Sequence, residues 1–258
     1  MAVMLTALAV LLVVNSMVSS TRFARNVNNN VASSIQCRKG LEMMTSDIRA
    51  AESIMVQFPT WSGTYRSNTT DTIVMRIPNG GLVTSPNYNV IVYQWTAATG
   101  LKAPGVVKRY VGTMNGATET APVLDREVAY GVTCLFEYWA VQAELANGTQ
   151  SAWALPPGSI AGSENPQAIV AGSDRVAAGT AVFAGGSATF TPRPAAGSQM
   201  TFLYPINVTS SPGGQLSYTG SVKISLTPTY EDRNANSTIT NKTQPVSTMV
   251  VLRNRPAL

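Results

Sequence analysis

The side chains of this chain that are able to do chemistry are hydroxyls, a few carboxylates and two thiols, because its 258 residues include no histidine. That removes the commonest general base and the commonest transition-metal ligand together. Serine, threonine and tyrosine are plentiful, yet no Ser-His-acid set can be assembled and no Ser-x-x-Lys occurs. The adjacent pair Glu231-Asp232 reads as solvated charge near a turn rather than as acid–base machinery. Gly80-Gly81 and Gly185-Gly186 read as turns, since no strand-to-helix context makes them phosphate cradles. The reading is therefore no enzyme, no catalytic residues and no cofactor.

One run offers metal ligands. Asp232-Arg233-Asn234-Ala235-Asn236 places oxygen ligands at alternate positions, as a calcium loop does at its start. The following Gly is missing, and Thr243 stands where the distal Glu belongs, so a polar hairpin turn is the better reading and no metal ligands are assigned. Cys37 and Cys134 can be read as two small buried side chains or as a disulfide pinning a helix to the body of the protein. Five Asn-x-Ser/Thr sequons, at Asn68, Asn147, Asn207, Asn236 and Asn241, point to an exposed surface more than to glycosylation.

Charge is sparse. Charged residues make up 12% of the chain, and the net +5 is spread over scattered positions such as Arg22, Arg25, Lys108 and Arg253. No basic stripe is interleaved with aromatics, so nucleic acid is not an expected partner. Richness in Thr, Ser, Asn, Val, Ala and Gly is common in β-rich proteins outside the cytoplasm, and the chain is too apolar for disorder.

The element that must position everything else is at the N-terminus. Residues Met1 to Val56 read as one helix ended by Pro59. Its first eighteen residues carry no charge, Gly or Pro, and at ~1.5 Å per residue they approach the ~30 Å hydrocarbon core. Arg22 and Arg25 follow this run and nothing charged precedes it, which by the positive-inside rule conflicts with a head outside the cytoplasm. The expectation is that upstream basic residues resolve the conflict. Further along, Cys37, Leu41, Met44, Ile48, Ala51 and Met55 alternate steps of four and three, which puts them on one face to pack on the head. Phe23, Val27, Val31 and Ile35 step by four and leave a face for a neighbour.

Beyond Pro59 the periodicity becomes two. Strands are predicted at Thr72–Ile77, Val90–Trp95, Val106–Val111 and Val128–Trp139, with a partner through Val141–Leu145. Two more are predicted at Ser221–Leu226 and Ser247–Leu252. Antiparallel pairing is the default without helices between them. Residues 155–215, rich in Pro and Gly, read as a loop-rich insertion with a few short strands, at apolar bits such as Thr180 to Phe183 and Met200 to Tyr204, offering functional surface. The division is 1–58, a membrane and assembly helix, and 59–258, a β-rich head.

Taken in order, several segments resemble type IV pilins and type II secretion pseudopilins, especially large minor subunits of the PilW and J-type kind. Met1-Ala2-Val3-Met4-Leu5-Thr6-Ala7-Leu8 looks like the middle of such an N-terminal helix. Asp47-Ile48-Arg49-Ala50-Ala51 is similar to the family's helix end. Val90 to Tyr93 with Gly100-Leu101 and Lys108-Arg109 is similar to its first hairpin, and Val250 to Asn254 to its C-terminal strand. The processing motif, Gly-Phe with a Glu shortly after, is absent, and the expectation is that it lies upstream of Met1. The resemblance implies an α+β, pilin-like fold, a long N-terminal helix packed on an antiparallel β-sheet head. It also implies a structural bacterial subunit held in the inner membrane with its head outside the cytoplasm, then assembled into a filament or its initiating tip complex. Its partners would be other pilin or pseudopilin subunits, and membrane lipid before assembly. The assembly and membrane residues would be Met4, Leu5, Leu8, Leu11, Leu12, Val13, Met17, Phe23, Val27 and Val31. The competing expectation is a membrane-anchored or secreted β-rich adhesin, with 155–215 as its binding surface.

Overall fold

The computed structural model describes residues 2–68, 70–82, 85–155, 167–170, 181–184, 186–206, 216, 219–234, 237–242 and 245–252. Helix α1 spans Ala2–Ala50, a run without proline in which Ala, Leu and Met outnumber the weak helix formers at Asn28-Asn29-Asn30. Gly40 is tolerated inside it because the helix approaches a strand there: a Cβ at Gly40 would stand 3.3 Å from that of Ala129. The helical spacing of apolar residues continues past Ala50, but the backbone does not follow it. The N–H of Glu52 donates to the carbonyl of Arg76, and the chain is captured by a sheet edge.

That edge is β1, Ser53–Met55, the first strand of a five-stranded antiparallel sheet. Its order is β1, then β4 (Thr72–Leu82), β5 (Ser85–Ala97), β6 (Gly105–Asn115) and β7 (Thr118–Tyr130). Between β1 and β4, the short pair β2 (Gln57–Phe58) and β3 (Tyr65–Arg66) forms a separate hairpin. The second large sheet is built around β8 (Val132–Leu145) and β14 (Thr219–Asn234). β13 (Gln199–Pro205) and β10 (Gln167–Val170) extend it beyond β8. β15 (Ser237–Lys242) and β16 (Val246–Val251) pair with successive halves of β14. A small sheet joins β9 (Ala152–Ala154), β12 (Ser187–Phe190) and β11 (Ala181–Ala184).

The α+β class expected from the sequence, one helix laid on one sheet, is overturned. The described structure is a β-rich fold. Two large antiparallel sheets enclose the main core, and among the described residues α1 enters it from Cys37 onward. Ile73, Met75, Ile91, Tyr93 and Val107 face this core from the first sheet, and Cys134, Phe136, Tyr138, Val222, Ile224 and Leu226 face it from the second. Polar bonds lock the two sheets together: the Tyr138 hydroxyl donates to the carbonyl of Thr72 (3.1 Å), and Trp95 Nε1 donates to that of Val132 (2.6 Å). Phe58, Val74, Val90 and Val92 form a second cluster on the other face of the first sheet. Gly112 is required there, since a Cβ would come within 2.6 Å of the Phe58 ring.

Most predicted strands extend further than the sequence reading gave them, and two differences change the path of the chain. The predicted strand Val128–Trp139 is cut at Gly131, which takes φ +66° and turns the chain from β7 into β8. The predicted partner Val141–Leu145 is instead the continuation of β8, carried through the buried Ala140. The 155–215 region, where described, is more than surface. β13 is a paired strand of the second sheet, and Phe202 lies 5.8 Å from Phe190 and 6.2 Å from Trp153 in an aromatic cluster joining the small sheet to the core.

Candidate functional site at the helix–head junction

Along α1, every described side chain from Val13 to Ile35 is exposed, and burial begins at Cys37. Val13, Met17, Val27 and Val31 from the assembly set are 56%, 66%, 41% and 52% exposed. Met4, Leu5, Leu8, Leu11, Leu12 and Phe23 lie within the helix, but their side chains fall outside the described residues. Among the described residues, no helix is long and apolar enough to cross a membrane.

Rotation around the helix separates two surfaces. At about 100° per residue, Val13, Met17, Val27, Val31 and Ile35 fall within an arc of ~80°. Cys37, Leu41, Met44 and Ile48 fall within an arc of ~60°, turned by roughly 110° from the first. The second arc is buried, with Cys37, Met44 and Ile48 fully so, and Ala51, just past the helix, is buried beside it. Met55 does not continue the stripe. It is part of β1, paired with Val74 in register, and packs against the cluster on the opposite face of the first sheet. The cause is the pairing of Glu52 with Arg76, which ends the helical rotation five residues earlier.

A polar clamp sits where the buried arc ends. Asp47 is in the C-terminal part of α1, where a carboxylate opposes the helix dipole and needs a compensating partner. Its Oδ2 accepts from the Tyr93 hydroxyl (2.6 Å) and from Arg109 Nε (2.8 Å). Arg109 also donates from Nη1 to Asp125 Oδ2 (2.7 Å), and Arg126 Nε donates to the same oxygen. Helix, β5, β6 and β7 are thereby joined by one network at the edge of the core. Burial and the neighbouring Asp47 carboxylate push the Tyr93 phenol upward. Although burial opposes the charge of Arg109, the Asp47 and Asp125 carboxylates outweigh it and hold the guanidinium more firmly protonated. The Arg126 and Arg109 guanidiniums hold the Asp125 carboxyl below the usual range. Sequence reasoning missed this network. Asp47 and Arg109 stood in the segments that resemble pilins, but nothing in spacing joined them.

The other sequence features do not gather into a site. Glu231 and Asp232 lie in β14 with side chains outside the described residues, and the Asp232–Asn236 run continues into positions 235 and 236, which are not described. No cluster of metal-ligating side chains occurs among the described residues. Asn68 is occupied structurally: its Oδ1 accepts from the N–H groups of Thr70, Asp71 and Thr72, and its Nδ2 donates to Asp71. Asn147 Oδ1 accepts from the N–H groups of Thr149 and Gln150 in a similar turn. Asn207 and Asn236 lie outside the described residues, as does the side chain of Asn241. Cys37 and Cys134 are both buried free thiols.

In this arrangement a helix is fixed at one end by apolar burial and a charged clamp, while the described side chains of its other part present an apolar arc to solvent. No protein-family model matches the chain, and no curated protein matches it.

Proposed function

We propose that the protein is a structural assembly subunit whose exposed helix bundles with helices of like subunits, in a filament or its initiating complex of the type IV pilus or type II secretion kind. The observation that carries this reading is the exposed arc of Val13, Met17, Val27, Val31 and Ile35 on a helix whose burial against the head, among the described residues, begins at Cys37. Covering such an arc with a neighbouring helix removes apolar surface from water at roughly 25 cal/mol per Å². A helix extending about 50 Å from Ala2 to residue 36 presents that surface to partners without disturbing the head. The uncharged run Met1 to Val18 supports storage of the subunit in a membrane before assembly, and the resemblance implies a head outside the cytoplasm.

The test is the double variant Met17→Asn/Val31→Asn, which adds no charge. The expected outcome is a folded head, unchanged by circular dichroism, together with loss of the assemblies that the parent chain forms by sedimentation and electron microscopy. Assemblies of normal length and abundance from the variant would sink the reading.

A further inference from the structure

We propose that Cys37 and Cys134 are a modification site, which oxidation joins into a disulfide stapling α1 to β8 of the second sheet. Both side chains lie in the main core, at 0% and 2% exposure. The path of the chain brings their elements together. Gly40, one turn beyond Cys37, packs on Ala129 and Val128 at the end of β7. The chain then turns at Gly131 and returns as β8, so that Val132 and Cys134 enter the core that Cys37 and Leu41 enter from the helix. Cys134 stands opposite Leu226 in the register with β14, and β14 is itself packed against α1. Burial pushes the Cys37 thiol up to about 11. At Cys134 burial acts in the same direction, and the Cys37 charge adds to it.

The same burial fixes when the bridge forms. The thiolate is the nucleophile, and in the docked state both thiols are protonated and shielded from a reagent. Exchange therefore runs before α1 docks. The Cys37 thiolate attacks a small-molecule disulfide, forming a mixed disulfide and releasing one thiolate. As the helix docks, the Cys134 thiolate attacks the Cys37 sulfur, forming the Cys37–Cys134 bond and releasing the second. Two cysteine thiols are oxidised, one small-molecule disulfide is reduced, and the two protons the cysteines lose are taken up by the two released thiolates, giving two thiols. The bridge closes a loop of about 100 residues, near the upper end of the range over which a cross-link restricts the unfolded chain. It forms whether or not the exposed half of α1 binds another helix, and it fixes the base from which that half projects.

The full chain is reduced, unfolded and refolded in a buffer of oxidised and reduced glutathione, and in parallel the native protein is held a few degrees below its Tm in the same buffer. Free thiols are then alkylated in denaturant and peptides are mapped by mass. The expected result in at least one arm is a Cys37–Cys134 peptide 2 Da lighter than its parts, neither cysteine alkylated, and a monomer whose Tm rises by about 10 °C over the reduced form. Free thiols in both arms, bridges found only between chains, or a bridged monomer that melts no higher than the reduced one each overturn the proposal.

Discussion

The two halves of α1 share one continuous backbone and meet opposite surroundings. From Val13 to Ile35 the described side chains are all exposed, apolar ones included. From Cys37 to Ile48 the apolar arc is buried between two sheets and ends in the Asp47 clamp. The turn between the halves is only two residues long, yet Ile35 and Cys37 differ by ~160° around the axis at about 100° per residue. What separates anchorage from availability is thus rotation and reach, since apolar residues occur in both halves. A substitution that treats the halves alike would break this contrast, and the largest effects are expected in the buried half.

Met44→Asp places a carboxylate in a fully buried position within the hydrophobic core. The expected loss exceeds about 4 kcal/mol, enough to unfold most of the head, measured by urea denaturation followed by tryptophan fluorescence. A variant that retains the parent midpoint would mean that the last turns of α1 are dispensable for the core. Next comes Asp47→Ala, which leaves Arg109 with Asp125 as its remaining carboxylate partner. At side-chain exposures of 19% and 17% the pair is partly screened, so the expected cost is about 2–3 kcal/mol. The Asp47→Ala/Arg109→Met double variant is expected to cost less than the sum of the singles by 1 kcal/mol or more, and strict additivity would show that the clamp is not a coupled unit.

Some of this was legible in the sequence and some was not, for physical reasons. The four-three stepping of Cys37, Leu41, Met44 and Ile48 is a local pattern, and a local pattern is enough to mark a helix arc. Met55 fitted the same pattern, and only a long-range event, the pairing of Glu52 with Arg76, removed it from the helix. The clamp was invisible because Asp47 meets Tyr93 and Arg109 across 46 and 62 residues of chain. The fold class failed for a related reason. Individual strands were readable from alternation, but their division into two sheets depends on Gly131 as a turn and on the pairing of β13, legible only as a short strand within a loop-rich insertion, with β8. The continuity of β8 through Trp139, Ala140 and Val141 is likewise set by pairing on both sides, with β13 and with β14.

The buried half also predicts how stability depends on pH in the reduced protein. The Cys37 thiol and the Tyr93 phenol are both raised, so the folded state keeps protons that the unfolded chain releases from about pH 9 and pH 10 upward. The thiol's contribution is fully present below about pH 9 and is lost as pH rises towards 11, while the phenol's is fully present below about pH 10 and declines above it. With no histidine, no imidazole step interrupts the range between pH 5 and 8. Asp125 acts in the opposite direction. Its carboxyl is lowered in the fold, so its contribution is present above about pH 4 and is lost as pH falls below it. Urea midpoints across this range are expected to decline on the alkaline side, with the decline starting about one pH unit later in any protein whose cysteines are bridged. A midpoint that rises above pH 9 would contradict the buried placement of both groups.

The smallest expected effect on stability is the sharpest discriminator of the two halves. Ile35→Ala removes an apolar side chain that is 49% exposed, and Leu41→Ala removes one that is 6% exposed, only six residues further along the same helix. Leu41→Ala is expected to cost about 2–5 kcal/mol, because it opens a cavity between helix and sheets. Ile35→Ala is expected to change stability by less than about 0.5 kcal/mol, since alanine also favours the helix and little packing is lost. If Ile35 serves only to face solvent, its removal has no further consequence. If its arc is the surface that neighbouring helices cover, the variant with the unaltered melting curve is the one whose assemblies dissociate at lower dilution. Thermal stability and the concentration dependence of assembly therefore move independently in the two variants, and a chain in which they move together has no division of labour along α1.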